Sequence, residues 1–201
     1  MISRRIRAWF SKVVRPLLAA LARLGLTPNG VSLLGLMLVV AAGAAASQGR
    51  FLFSGLLFST GGLLDAIDGE LARATGRAGE QGAFFDSLCD HCGDFAMSLG
   101  LVWFYLPRGA FGEVVLVFVA LFASMLGSHV RSRAAMLGID LKDVGLATRF
   151  ERMVVLAAGL FLGRVRPALA LLATIGSVST IQRIVAAHPR VGARTLSRTP
   201  T

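Results

Sequence analysis

Long apolar segments separated by short polar turns make up most of this chain of 201 residues. Residues 29–49 contain no Asp, Glu, Lys or Arg, and a helix of that length can cross the hydrocarbon core of a bilayer. Residues 114–130 and 167–182 are uncharged in the same way, and three further apolar segments reach a comparable length together with their polar flanks. The pattern predicts six helices, at about residues 28–48, 51–75, 82–106, 111–137, 148–164 and 167–187.

The composition favours a membrane location for these helices. The chain is 55% hydrophobic with a mean hydropathy of +0.69, which is more apolar than an ordinary soluble domain. Near the N-terminus, apolar side chains recur at helical spacing between basic residues, which is typical of a helix lying on a membrane surface and not of a cleaved signal. We therefore predict an all-α integral membrane protein with six transmembrane helices preceded by an amphipathic juxtamembrane helix. The expected organisation is an interfacial helix at 1–23, a membrane domain at 24–188 and a basic C-terminal tail at 189–201.

The net charge of +10 would suggest a nucleic-acid partner in a soluble protein. Here 17 of the 21 Lys and Arg residues lie in the terminal segments and in the connections on one side of the predicted bundle. Because basic residues concentrate on the cytoplasmic side of membrane proteins, this asymmetry predicts a cell-membrane protein whose two termini face the cytoplasm. We expect membrane lipids around the chain and no nucleic acid.

Acidic residues cluster where two predicted helices meet. Seven of the eleven Asp and Glu residues lie between positions 65 and 94. Asp65 and Asp68 are spaced i, i+3, and Asp86 and Asp90 are spaced i, i+4, so each pair shares one face of its helix. The short turn between the second and third helices makes them antiparallel neighbours, which allows the two pairs to converge on the predicted cytoplasmic side.

Carboxylates are rare in membrane helices because removing them from water is costly. Four of them would repel one another unless cations offset their charge, and oxygen ligands favour Mg²⁺ or Mn²⁺. Gly69 would let a ligand approach the helix backbone, and Arg73 could pair with a phosphate oxygen. A divalent metal that holds a phosphorylated substrate explains the pattern better than an acidic network that only braces the helices.

The segment from Asp65 to Asp90 resembles the signature of the CDP-alcohol phosphotransferases, D-x2-D-G-x2-A-R-x8-G-x3-D-x3-D, without departure. The resemblance extends over about residues 25–190. It implies a membrane enzyme with six transmembrane helices, usually homodimeric, that moves a substituted phosphoryl group from a CDP-activated donor to an alcohol and releases CMP. It also implies two Mg²⁺ ions, with Mn²⁺ as an alternative, held by Asp65, Asp68, Asp86 and Asp90, and it implies that Asp90 is also the base that deprotonates the acceptor.

The same resemblance assigns a donor site to the start of the first helix and to the turn after the second. Asn29 stands where Asp is common, and Gly79 stands where Ser or Thr often contacts the nucleotide. The donor would be CDP-diacylglycerol. The implied donor-binding residues are Asn29, Gly30, Val31, Ser32, Gly69, Arg73 and Gly79.

Polar and basic residues at the ends of the later helices suggest a phosphorylated polyol as the acceptor. Arginine matches phosphate geometry, and four arginines are expected on the carboxylate side. The pattern is similar to that of bacterial phosphatidylinositol phosphate synthases, although Arg131 replaces the lysine usual there. Inositol phosphate is the expected acceptor, and glycerol 3-phosphate, which would give a phosphatidylglycerol phosphate synthase, is the alternative. The implied acceptor-phosphate residues are Ser128, Arg131, Arg133, Arg152 and Arg183.

Two other classes of protein could use such carboxylates. Membrane prenyltransferases also hold a diphosphate with Asp and Mg²⁺, but they normally have more helices and two separate Asp motifs. A metal transporter is the remote alternative, and its usual second half with matching interrupted helices is missing from this sequence. Cys89, His91 and Cys92 lack the further ligands of a zinc site, and the pattern gives no role to Asp94.

Overall fold

The computed structural model describes residues 27–76, 78–141 and 143–196, and the side chains up to Arg190. The predicted juxtamembrane helix at 1–23 lies outside the described residues. The described part of the chain is helical and contains no strand. Its helices are α1 (Pro28–Ser47), α2 (Phe51–Ala74), α3 (Glu80–Tyr105), α4 (Phe111–Met136), α5 (Arg149–Phe161) and α6 (Val165–Leu196), with a 3-10 turn at Leu106–Arg108.

All six helices predicted from the hydrophobic pattern are present, with differences at their ends. Helix α5 has 13 residues and is shorter than expected, while α6 continues past the expected end near 187 and through Pro189. Within the described residues, four helices are long and apolar enough to span a bilayer. They are Pro28–Ser47, Phe51–Ala74, Phe111–Met136 and Val165–Arg190.

Local signals explain where the helices begin. Thr27 caps α1 by accepting a hydrogen bond from the Gly30 amide (3.2 Å), and Pro28 occupies the first turn, where no amide donor is needed. At α5, Thr148 and Glu151 form a reciprocal capping box. These two helix starts lie beside the carboxylates described below, so the caps fix the position of the candidate site.

The helices form one bundle in which α1 packs against α2 and α3, α4 packs against α6, and α5 bridges α2 and α6. Glycines allow the closest approaches, as is common between membrane helices. A Cβ atom on Gly100 would lie 2.6 Å from the carbonyl carbon of Gly43, so α3 and α1 touch through their backbones. The core between the helices contains Ala42, Ala46, Phe58, Met97, Leu101, Val117, Leu160, Val165 and Leu169.

Two buried hydroxyl groups join neighbouring helices. Ser54 of α2 donates to the Ala42 carbonyl of α1 (2.8 Å), and Thr180 of α6 donates to the Ala123 carbonyl of α4 (2.9 Å). Such bonds satisfy hydroxyls where water is excluded and contribute modestly to the association of membrane helices. At the end of the bundle away from the carboxylates, Arg166 pairs with Glu113 (3.3 Å).

We predict that Gly100→Ala destabilises the bundle, because the added methyl group would force α1 and α3 apart. Overpacking of this kind costs about 1–3 kcal/mol. Thermal unfolding of the purified protein in detergent should show a lower midpoint for this variant. The matched control is Gly112→Ala, where a Cβ meets no atom within 4 Å. An unchanged midpoint for Gly100→Ala would contradict the close contact.

Candidate metal centre and active site

Three carboxylates from α2 and α3 converge at one end of the bundle. Ligand oxygens of Asp65, Asp68 and Asp86 all lie within 4.8 Å of one another. Helix α1 packs against both α2 and α3, and the turn between α2 and α3 contains only residues 75–79, so these ends of the two helices lie close together. Three oxygen donors at this separation fit a hard divalent cation, which also supplies the positive charge that the group requires.

Residues of α1 complete one wall of this carboxylate group. The Ser32 hydroxyl donates a hydrogen bond to Asp68 Oδ2, and both side chains are buried. Ser32 was predicted to bind the donor, and its observed contact orients a carboxylate of the candidate metal centre. Asn29 lies near Gly82 at the start of α3, where its Oδ1 atom is 4.0 Å from the position of a Gly82 Cβ. The start of α1 therefore lies next to the carboxylates.

Asp90 lies apart from the other three carboxylates and contacts a positively charged side chain. It forms an ion pair with Arg149 at the start of α5, and its Oδ1 atom is buried without a hydrogen-bond partner among the described residues. Arg149 also lies close enough to Asp65 and Asp86 for their charges to interact. A buried carboxylate oxygen without a partner is expected where a ligand, metal or water completes the site.

Arg149 is the functional candidate that the sequence analysis missed. The sequence pattern indicated Arg152 in the same segment. A signal was present, because Arg149 precedes Arg152 by three residues on the same helix face and directly follows the helix cap. Its contact with Asp90 joins segments 59 residues apart, and nothing in the local pattern predicts such a pairing.

The predicted acceptor residues are only partly brought together. Arg131, Arg152 and Arg183 lie near enough for their positive charges to interact. Ser128 is half-buried on α4, and Arg133 is exposed in the last turn of that helix. The structure therefore groups three of the five residues, from the last turns of α4, the first turn of α5 and the interior of α6.

Arg183 has a structural contact that the sequence did not indicate. Its Nε donates to the Val144 carbonyl (3.0 Å), and its guanidinium lies beside Gly145. Gly145 has φ of 122°, a conformation that side chains disfavour. Ser179 on the same helix accepts a hydrogen bond from the Leu146 amide (3.0 Å). Helix α6 thus holds the α4–α5 connection that leads directly to Arg149.

The remaining donor-site candidates lie at the edge of the carboxylate group. Arg73 is exposed and forms an ion pair with Glu70 (2.8 Å), and its guanidinium lies beside Gly69. Gly79 precedes α3 and has open space where a Cβ would lie. Gly30 and Val31 belong to the first turn of α1, and Val31 is buried. These positions leave the face around Gly69 accessible to a ligand.

A cavity of about 130 Å³ connects the carboxylates with the arginines. Asp65, Asp90, Arg149 and Arg152 line it, whereas Asp68, Asp86, Arg131 and Arg183 do not. The cavity continues into the bundle between α3, α4 and α5, where apolar side chains such as Met97 and Leu156 line its wall. Opposite charges around one enclosed space suit a ligand that carries both metal-bound and free phosphate groups.

Comparisons with known proteins agree with this arrangement. Residues 25–185 match the family model described as CDP-alcohol phosphatidyltransferase. An archaetidylinositol phosphate synthase of Pyrococcus horikoshii is 31% identical over 85% of this chain and 88% of its own length. A phosphatidylinositol phosphate synthase of Mycobacteroides abscessus is 33% identical over 93% of this chain and 89% of its own length.

Solved structures with the same fold include the phosphatidylinositol phosphate synthase of Mycobacterium tuberculosis. Its complex with CDP-DAG has a TM-score of 0.80 at 26% identity, covering 88% of this chain and 94% of that one. Its complex with manganese and citrate has a TM-score of 0.77 at 26% identity, covering 86% of this chain and 87% of that one. With its apolar helices and its carboxylate group, this multi-pass membrane protein belongs to the CDP-alcohol phosphatidyltransferase family.

Proposed function

We propose that this chain transfers a phosphatidyl group from CDP-diacylglycerol to inositol phosphate, giving phosphatidylinositol phosphate and CMP. The observation that carries the proposal is the cavity that is lined both by Asp65 and Asp90 and by Arg149 and Arg152. The carboxylates suit the metal-bound diphosphate of the donor, and the arginines suit a phosphate on the acceptor. The synthases named above make archaetidylinositol phosphate and phosphatidylinositol phosphate according to their names.

Asp65, Asp68 and Asp86 would hold two Mg²⁺ ions, and Mn²⁺ could replace them. Paired divalent ions neutralise the charge that develops on the bridging and leaving oxygens of a diphosphate. The Ser32 hydroxyl fixes Asp68, and the arginine of the Asp90 pair offsets part of the negative charge of the group. Gly69, Arg73, Gly79 and the first turn of α1, from Asn29 to Ser32, would border the CDP part of the donor.

Asp90 would act as the base. Asp90 lines the cavity, and its Oδ1 atom has no hydrogen-bond partner among the described residues. As the hydroxyl oxygen attacks the phosphatidyl phosphorus, its proton passes to Asp90, the bond from phosphorus to the bridging oxygen breaks, and CMP leaves with that oxygen. Arg131, Arg152 and Arg183, together with Ser128 and Arg133, would bind the acceptor phosphate and hold the hydroxyl in line.

The proposed membrane arrangement has all six helices spanning the bilayer, with the carboxylate end and both termini on the cytoplasmic side. Helix α3 would span despite its acidic residues because these face the protein interior and its cavity. Acyl chains of the donor would lie among the lipid-facing apolar side chains. The homodimer and the N-terminal interfacial helix stay predictions.

The acceptor is tested by CMP release from CDP-diacylglycerol with Mg²⁺, with inositol phosphate, glycerol 3-phosphate, inositol and serine offered in parallel. We expect release with inositol phosphate, and a lipid product that mass spectrometry identifies as phosphatidylinositol phosphate. Release with glycerol 3-phosphate alone would support the alternative, a phosphatidylglycerol phosphate synthase. Release only with an unphosphorylated acceptor would contradict the role of the arginines.

Asp90→Asn should lower CMP release by roughly 100-fold or more, because a positioned base contributes about that much. The variant should still bind CDP-diacylglycerol, since Asp65, Asp68 and Asp86 remain. The matched control is Asp143→Asn, which changes an exposed carboxylate in the α4–α5 connection. Near-normal turnover of Asp90→Asn would show that another group accepts the proton.

Arg149→Gln removes the other partner of the ion pair with Asp90, and it should change metal binding. Because a cation next to the carboxylates is removed, we expect Mn²⁺ affinity to rise by roughly threefold or more. Calorimetric titration of the purified protein with Mn²⁺ measures this directly. Arg166→Gln, which breaks the pair with Glu113 at the opposite end, is the control and should leave the affinity unchanged. Weaker Mn²⁺ binding by Arg149→Gln would show instead that Arg149 maintains the geometry of the site.

A further inference from the structure

Asp94 is a carboxylate inside the bundle that the family signature and the proposed mechanism leave unused. It follows Asp90 by four residues and continues the polar face of α3 into the apolar part of the bundle, with Ser98 one turn further. Asp90, Asp94 and Ser98 all line the cavity described above. The polar stripe therefore extends from the candidate metal centre along the cavity wall.

Asp94 faces polar groups from two other helices. Ser124 of α4 donates a hydrogen bond to Asp94 Oδ2 (3.0 Å), and Arg152 of α5 lies close enough to interact with its charge. His91, one turn earlier on α3, also interacts with it electrostatically. Ser124 and Arg152 line the same cavity. The carboxylate is thus held at the wall of an enclosed space and not at the lipid surface.

A hydrogen bond that joins α3 and α4 does not require a carboxylate. Elsewhere in the bundle Ser54 and Thr180 join helices by donating to backbone carbonyls. A carboxylate costs more than a hydroxyl in such surroundings, and the bond from Ser124 uses one of about four lone-pair positions. The remaining positions can accept hydrogen bonds from hydroxyl groups of a ligand in the cavity.

The distance between Asp90 and Asp94 selects the kind of ligand. Four residues of helix separate them by about 6 Å along the axis. A hydroxyl on the far side of a six-membered polyol ring reaches that distance from the reacting hydroxyl. In glycerol 3-phosphate the second hydroxyl is on the adjacent carbon, so it stays near Asp90.

We propose that Asp94, held by Ser124 and flanked by Ser98, binds a ring hydroxyl of the acceptor remote from the reacting hydroxyl, and so selects a cyclic polyol phosphate over glycerol 3-phosphate. This inference rests on the proposed function and extends it to the choice of acceptor. The arginines bind the phosphate that both acceptors share, whereas Asp94 contacts a group that only the ring carries.

The test compares Asp94→Asn with Ser124→Ala by CMP release at varied concentrations of each substrate. Asp94→Asn keeps an oxygen that can accept from Ser124, so the interhelical bond persists while the charge is lost. A hydrogen bond to a charged group is worth about 1.5–3 kcal/mol, so we expect Asp94→Asn to raise KM for inositol phosphate about tenfold or more. KM for CDP-diacylglycerol should not change, and the preference for inositol phosphate over glycerol 3-phosphate should fall by a similar factor.

Ser124→Ala breaks the interhelical bond and keeps the carboxylate, so its effect on acceptor preference should be smaller. Thr180→Ala is the matched control, because it removes a hydrogen bond between α4 and α6 and Thr180 does not line the cavity. Two results would contradict the proposal: an equal loss of turnover with both acceptors in Asp94→Asn, or a larger change in acceptor preference in Ser124→Ala than in Asp94→Asn. Either result would mean that Asp94 only joins α3 to α4. If the unsubstituted protein does not use inositol phosphate, the proposed function fails and this inference with it.

Discussion

The mutual repulsion of carboxylates between two apolar helices is the constraint on which this structure depends. Asp65, Asp68 and Asp86 lie within 4.8 Å of one another, and an isolated group of this kind would be strongly destabilising. The bundle reduces the cost with a hydroxyl from α1 and a guanidinium from α5. Divalent metal ions would supply the rest of the positive charge, and they would make the same carboxylates useful for holding a diphosphate.

The other helices position polar and charged side chains around those carboxylates. Backbone contact at Gly35 and Gly61 brings α1 and α2 close enough for Ser32 to reach Asp68. On the other side, Arg183 and Ser179 of α6 hold the connection that leads into α5. Because Arg149 is the first residue of α5, the conformation of that connection determines whether its guanidinium can reach Asp90.

Much of the fold could be predicted from the sequence because its signals are local. The hydrophobic pattern predicted all six helices, and the spacing of the Asp residues predicted the convergence of Asp65, Asp68 and Asp86, whereas Asp90 pairs with Arg149 instead. Helix α6 extends beyond its predicted end, because the polar and basic character of the chain from about His188 indicated a tail. A proline inside a long helix is tolerated when neighbouring turns keep their hydrogen bonds, and the pattern of residue types does not report this.

The contacts that refine the candidate site were not predictable in the same way. Arg149 with Asp90, Arg183 with the Val144 carbonyl, and Ser124 with Asp94 each join segments at least 30 residues apart. Arginines at helix ends usually anchor a membrane protein, so sequence alone could not distinguish Arg149, beside the carboxylates, from Arg133, which is exposed. Their roles depend on the relative rotation of the helices, and packing determines that rotation.

The central claim is that α2 and α3 together form a divalent-metal centre. Anomalous scattering from crystals of the protein grown with Mn²⁺ tests it most directly. We predict manganese peaks within coordination distance, about 2.0–2.6 Å, of carboxylate oxygens of Asp65, Asp68 and Asp86. Peaks confined to exposed acidic residues, or no peak between α2 and α3, would contradict the claim and leave these carboxylates without the cation that explains them.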